Sequence, residues 1–227
     1  MTALTITVQG SASIHRAPEL GAVSLSLGFE GVERTEVLER TGALHAAIST
    51  VLDERRTDPA EGITSWSAGQ VQVWGQRPWN AQGEQLDIVY HSAASVSATF
   101  TDFARLSAWV DDVSTWDGVT VLGVTWTLSD DHTRDAETES LRSAIADAVR
   151  KAEVYAESLG LLSVTAVAIS DPGLLPSEQG PLAFASDGIG GSPRMMKAAM
   201  STSGGGVSLQ PEDLVFEVQV QARFTAS

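Results

Sequence analysis

Cysteine is absent from the 227-residue chain. That excludes disulfides, thiolate metal sites and cysteine nucleophiles together. Cations are scarce as well: 14 Lys and Arg stand against 29 Asp and Glu, a net charge of −15. Phosphate backbones and anionic membrane surfaces are held by clustered cations, so neither nucleic acid nor a membrane is an expected partner. No apolar run approaches the ~20 residues that cross a bilayer. The start has no basic segment leading into an apolar run, as a secretory signal would, and the expected location is cytoplasmic. HExxH, P-loop, GxSxG and dinucleotide fingerprints are all missing. His15, His45 and His91 are too scattered along the chain to suggest a triad. No cofactor is expected.

What is present reads as a folded α+β chain. Hydrophobic residues make up 43% and charged residues 19%, the ordinary globular range. Strand-like alternation occurs at 4–8 and again at Val23, Leu25, Leu27 and Phe29, with Pro18 and Gly21 as the turn of an opening hairpin. The spacing then predicts a long helix from about Glu33, lined by Val37, Thr41, Leu44, Ile48 and Val51, and ended by Asp58-Pro59. Val71 and Val73 mark a strand, and 74–83 read as a long hairpin tip. Apolar residues fall on even positions from Leu86 to Phe100, with Ser92 as the one interruption. A short helix from Asp102 to Val113 follows, then a strand at 119–128 whose phase slips between Val121 and Leu122, the sign of a β-bulge. A second long helix carries Leu141, Ile145, Ala148, Ala152, Tyr155 and Leu159 and ends at Gly160. Strands at 164–169 and 214–224 enclose a Gly/Pro-rich segment at 171–211. The expected fold is therefore a mixed or antiparallel β-sheet packed with two long helices and one short helix. Residues 171–211 read as a flexible insertion before the last strand, within one domain spanning 1–227.

This ordered set resembles the SIMPL domain family. The resemblance opens on Ile6-Thr7-Val8-Gln9-Gly10-Ser11-Ala12 and continues through the alternating run from Ser92 to Phe100. Its most specific stretch is Leu128-Ser129-Asp130, the helix containing Ala148-Val149-Arg150-Lys151-Ala152-Glu153, and Ser158-Leu159-Gly160. Pro211-Glu212 precedes the last strand where the family usually has Pro-Gly. The chain also departs from the bacterial pattern in showing no export signal. The resemblance implies a mixed α+β fold, a tendency to self-assemble, and loose links to stress responses or signalling. It implies no reaction and brings no active-site residues.

Three clusters carry candidate functions. Asp130, Asp131, His132 and Asp135 could hold a metal, yet the dipole at a helix start accounts for such acids without one. Trp74, Arg77 and Trp79 sit with Asn80 and Gln82 in the proposed hairpin tip. Large aromatics usually contribute buried area, so the tryptophans are expected to fold back onto the sheet; a partner surface is the alternative. Met195, Met196 and Met200 fit either a docking segment or a turn tucked against its own domain. Strands ending at Phe29 and Phe224 are candidate sheet edges. The leading expectation is a non-enzymatic protein that forms homo-oligomers and works through protein binding. A metal-dependent enzyme using Asp130 to Asp135 and a small-ligand carrier are its rivals.

Overall fold

The computed structural model describes residues 4–175 and 211–227. Its element order is β1 (Leu4–Arg16), β2 (Leu20–Leu27), β3 (Glu30–Gly31), α1 (Arg34–Arg56), β4 (Ile63–Ala68), β5 (Gln72–Gln76), β6 (Val89–Phe100), α2 (Phe103–Val113), β7 (Val119–Thr127), α3 (Asp130–Ser158), β8 (Val164–Ser170) and β9 (Leu214–Ala226). Every strand pair is antiparallel. The fold is α+β, as expected. The expected insertion at 171–211, with Met195, Met196 and Met200, lies almost wholly outside the described residues. The chain divides into two compact units, which are described in turn.

The first unit comprises 4–17, 128–175 and 213–227. Its sheet runs β1-β9-β8, so β9 is central and not an edge. β1 pairs with β9 along its whole length, Leu4 with Ala226 to Arg16 with Leu214. The expected opening hairpin does not form, since β1 takes the chain's last strand as its partner.

Helix α3 buries Ala136, Ser140, Ala144, Ala148, Ala152 and Ala156, the last four packing against Ile6, Val8, Val220, Ala222 and Phe224, and Ala136 against Leu128 and Phe216. The buried residues recur strictly every four positions. Rows of i±4 are inclined to a helix axis, so the buried line crosses the apolar seam read from the sequence near Ala148. Leu141, Tyr155 and Leu159 on that seam are left exposed. Alanine also lets the backbones meet: a Cβ on Gly10 would lie 2.0 Å from the Ala144 carbonyl oxygen. Gly160 ends the helix at φ +73°, in the left-handed region where glycine carries no Cβ penalty.

The second unit, 18–127, is built around β6. The sheet path is β3-β6-β2-β7, and both β4 and β5 also pair with β6. β2 is therefore interior, which corrects its reading as an edge. β4 was not legible beforehand, because Ile63-Thr64-Ser65-Trp66-Ser67-Ala68 has too few apolar residues to show a period. Val23, Leu25 and Leu27 of β2 and Val96, Ala98 and Phe100 of β6 are buried, as are Ile48 and Leu52 of α1 and Leu106, Trp109 and Val110 of α2. Asp102 caps α2 by accepting the N–H groups of Ala104 and Arg105 at 2.9 and 3.0 Å.

Ser92, the interruption in the alternation of β6, is buried for a reason. Its hydroxyl accepts the Phe29 N–H at 3.0 Å and sits 2.5 Å from Thr41 Oγ1. Thr41 in turn donates to the Val37 carbonyl at 2.8 Å. The node joins β6 to α1 where β2 breaks before β3.

Candidate functional site

The β5–β6 hairpin forms an arm whose connection, 77–88, is held by one side chain. Asn80 Oδ1 accepts the N–H groups of Gln82 and Glu84 at 3.0 and 2.8 Å, while its Nδ2 donates to Glu84 Oε2 at 3.1 Å. Backbone bonds from Asn80 to the Glu84 carbonyl and from Leu86 to the Pro78 carbonyl close the turn. Gly83 takes φ +80° there. Trp79 pairs with Gln85 in an isolated bridge. The strand β6 begins at Val89, so Leu86 and Ile88 belong to the connection and not to the strand.

On this arm Trp74 is 44% and Trp79 67% exposed, with Arg77 exposed between them. The expectation that both tryptophans fold back onto the sheet is thus corrected. Trp74 faces sideways along a cross-strand row: its ring stacks on His91 at 5.8 Å and 22°, and His91 Nδ1 lies 3.6 Å from Glu30 Oε2. Glu30, His91 and Trp74 are direct register partners on β3, β6 and β5, which positions the row. Elsewhere on the arm, Ile88 and Tyr90 lie over Gly75, where a Cβ would meet them at 2.7 and 3.2 Å. Sequence reasoning missed His91, because its role depends on strand register. Arg34 from α1 reaches the Val73 carbonyl at 3.3 Å, and His45 bonds the Gly69 carbonyl at 3.0 Å. Both contacts tie the arm's base to α1.

The acidic cluster is arranged differently from a ligand set. Asp130 and Asp131 occupy the first turn of α3, and Ser129 is the N-cap residue; Asp130 and Asp131 therefore act on the helix dipole, not as caps. Asp131 pairs with Arg134 at 3.1 Å. Among the described residues no three His, Asp or Glu side chains are grouped to hold a metal ion. Among those residues also, no helix is long and apolar enough to cross a membrane.

A second electrostatic feature lies on α3. Asp147 accepts Lys151 Nζ at 2.7 Å, the Ser11 N–H at 3.0 Å and Arg150 at 2.5 Å. These donors, Lys151 first, hold its carboxyl well below the usual carboxylate range. Lys151 also donates to the Gln9 carbonyl at 2.8 Å. The pair thereby occupies backbone groups along the outer edge of β1.

The margins at β4, β7 and β8 are interrupted instead, whereas β5 pairs with β6 without a register shift. One extra residue bulges from β4 (Thr64), β7 (Leu122) and β8 (Val167), a device that turns an edge away from further pairing.

No curated protein matches the chain. The family model described as SIMPL, a protein of unknown function (DUF541), matches residues 6–224. That span runs from within β1 to within β9 and takes in the arm, so the chain belongs to the SIMPL family.

Proposed function

We propose that this protein is non-enzymatic and acts through protein contact, including contact between its own copies, with the β5–β6 arm as the binding surface. The observation that carries this reading is the exposure of Trp74 on β5 and of Trp79 on the turn that Asn80 already holds in place. Tryptophan and arginine are the residue types that dominate binding energy at interfaces. A surface ordered beforehand loses little conformational entropy when it is covered. The charge of −15 opposes association at long range, but salt screens it beyond ~8 Å under physiological conditions.

The test is light scattering coupled to size exclusion at physiological salt, across a concentration series. The wild type is expected to exceed the 23.9 kDa of one chain as concentration rises. Trp74→Ala with Trp79→Ala should weaken association by about 30-fold or more, the effect of losing one strong contact residue. Undiminished association in that double variant would move the binding surface elsewhere.

A further inference from the structure

The arm's charges point to the occupant of this surface. Arg77 is the one Lys or Arg between Arg56 and Arg105. It is exposed at the start of the connection, and Asp87 is exposed at its end. Among the described residues neither has a hydrogen-bond or ion-pair partner. Glu84, by contrast, is already engaged by Asn80. Trp79 lies opposite Gln85 and Leu86 bonds Pro78, so the arm presents Arg77 and Asp87 across the hairpin from each other, without another partner among the described residues, beside Trp79 and the half-exposed Leu86.

We infer that the arm meets the same arm of a second copy across a two-fold axis, Arg77 of each facing Asp87 of the other around the Trp79 side chains. The inference rests on the reading of the arm as a contact surface and names its partner. In a two-fold contact, if one residue touches a second, the second touches the first in return. A surface with one free charge of each sign therefore satisfies both charges twice when it meets itself. Residues 69–90 carry one cation and two anions, so two arms of this acidic chain meet with little net repulsion. A guanidinium is weakly hydrated and stacks on indole faces, which suits Arg77 to a place beside the partner's Trp79.

Charge exchange tests the inference. Arg77→Glu alone sets anion against anion in a pair of identical copies, and Asp87→Arg alone sets cation against cation. Each is expected to weaken self-association by about 10-fold or more. Mixing the two variants in equal amounts places opposite charges together at both contacts, and association should return to the wild-type level. The chain carrying both substitutions should also self-associate as the wild type does. All three positions changed, 77, 79 and 87, are exposed, and thermal melts confirm that each variant is folded. If the wild type and the single variants associate equally, or the mixture stays monomeric while the wild type associates, the two-fold charge pairing is wrong. If Trp79→Ala abolishes association and the charge variants do not, the arm remains the surface and this geometry fails. A wild type that stays monomeric overturns both readings.

Discussion

Replacing Gly10 by alanine should detach helix from sheet in the first unit. The added Cβ would stand 2.0 Å from the Ala144 carbonyl oxygen and 2.8 Å from Ala148 Cβ. Ordinary non-bonded contact begins near ~3.5 Å, so α3 has to retreat by more than about 1 Å. The obstacle is helix backbone, which cannot swing aside as a long side chain can. The retreat therefore opens the whole alanine row from Ala136 to Ala156. A gap of ~0.5–1 Å forfeits a quarter to a half of each dispersion contact, and overpacking alone typically costs about 1–3 kcal/mol. The expected loss is ~3 kcal/mol or more. Gly42, inside α1, is the control: an added Cβ there meets nothing within 4 Å. Gly42→Ala should stabilise by about 0.5–1 kcal/mol through helix propensity and a less flexible unfolded chain. The assay is urea unfolding with two signals. All six tryptophans fall between Trp66 and Trp126, so fluorescence reads the second unit, whereas circular dichroism at the helix band includes α3. Gly10→Ala should move the dichroism transition to lower urea, and the fluorescence signal reports what the second unit does at the same time. Unfolding of Gly10→Ala within ~0.5 kcal/mol of wild type would refute the close approach.

Two further outcomes follow from the polar contacts. Asp147→Asn should destabilise by about 1–2 kcal/mol at neutral pH, little of it from the exposed Arg150. Because the folded carboxyl titrates below its unfolded value of ~3.9, its contribution is complete above that value and is lost as pH falls further. The gap between wild type and variant, followed by melts, should therefore hold from pH 7 to ~5 and narrow below ~4; a gap that widens in acid contradicts the assignment. Ser92→Ala leaves the Phe29 N–H and the Thr41 hydroxyl without their shared partner. It should cost ~1–3 kcal/mol in chemical denaturation, and a neutral result would show that the node carries no stability.

Much of the architecture was legible in the chain because its signals are local. Alternation marked β2, β6 and β9, the phase slip at Val121 and Leu122 marked the bulge in β7, and Asp58-Pro59 marked the end of α1. Pairing was not legible, because register joins residues more than 200 positions apart, as in β1 with β9. That is why β2 and β9 read as edges and proved central. The face of α3 was misjudged for a related reason. Large residues draw attention to a seam, yet close approach of helix to strand selects alanine and glycine. At the candidate site, Trp74, Arg77 and Trp79 were visible by type and clustering. Their exposure was not, because it depends on how Asn80 folds the connection and how His91 is placed opposite Trp74.

Whether the arm binds decides the proposed function most directly. Sedimentation equilibrium of the wild-type chain at physiological salt, over at least a hundredfold range of concentration, measures this without labels or surfaces. The expected result is a mass that climbs from 23.9 kDa toward twice that value and falls back in the Trp74→Ala, Trp79→Ala variant. A constant 23.9 kDa at every concentration would contradict the central claim.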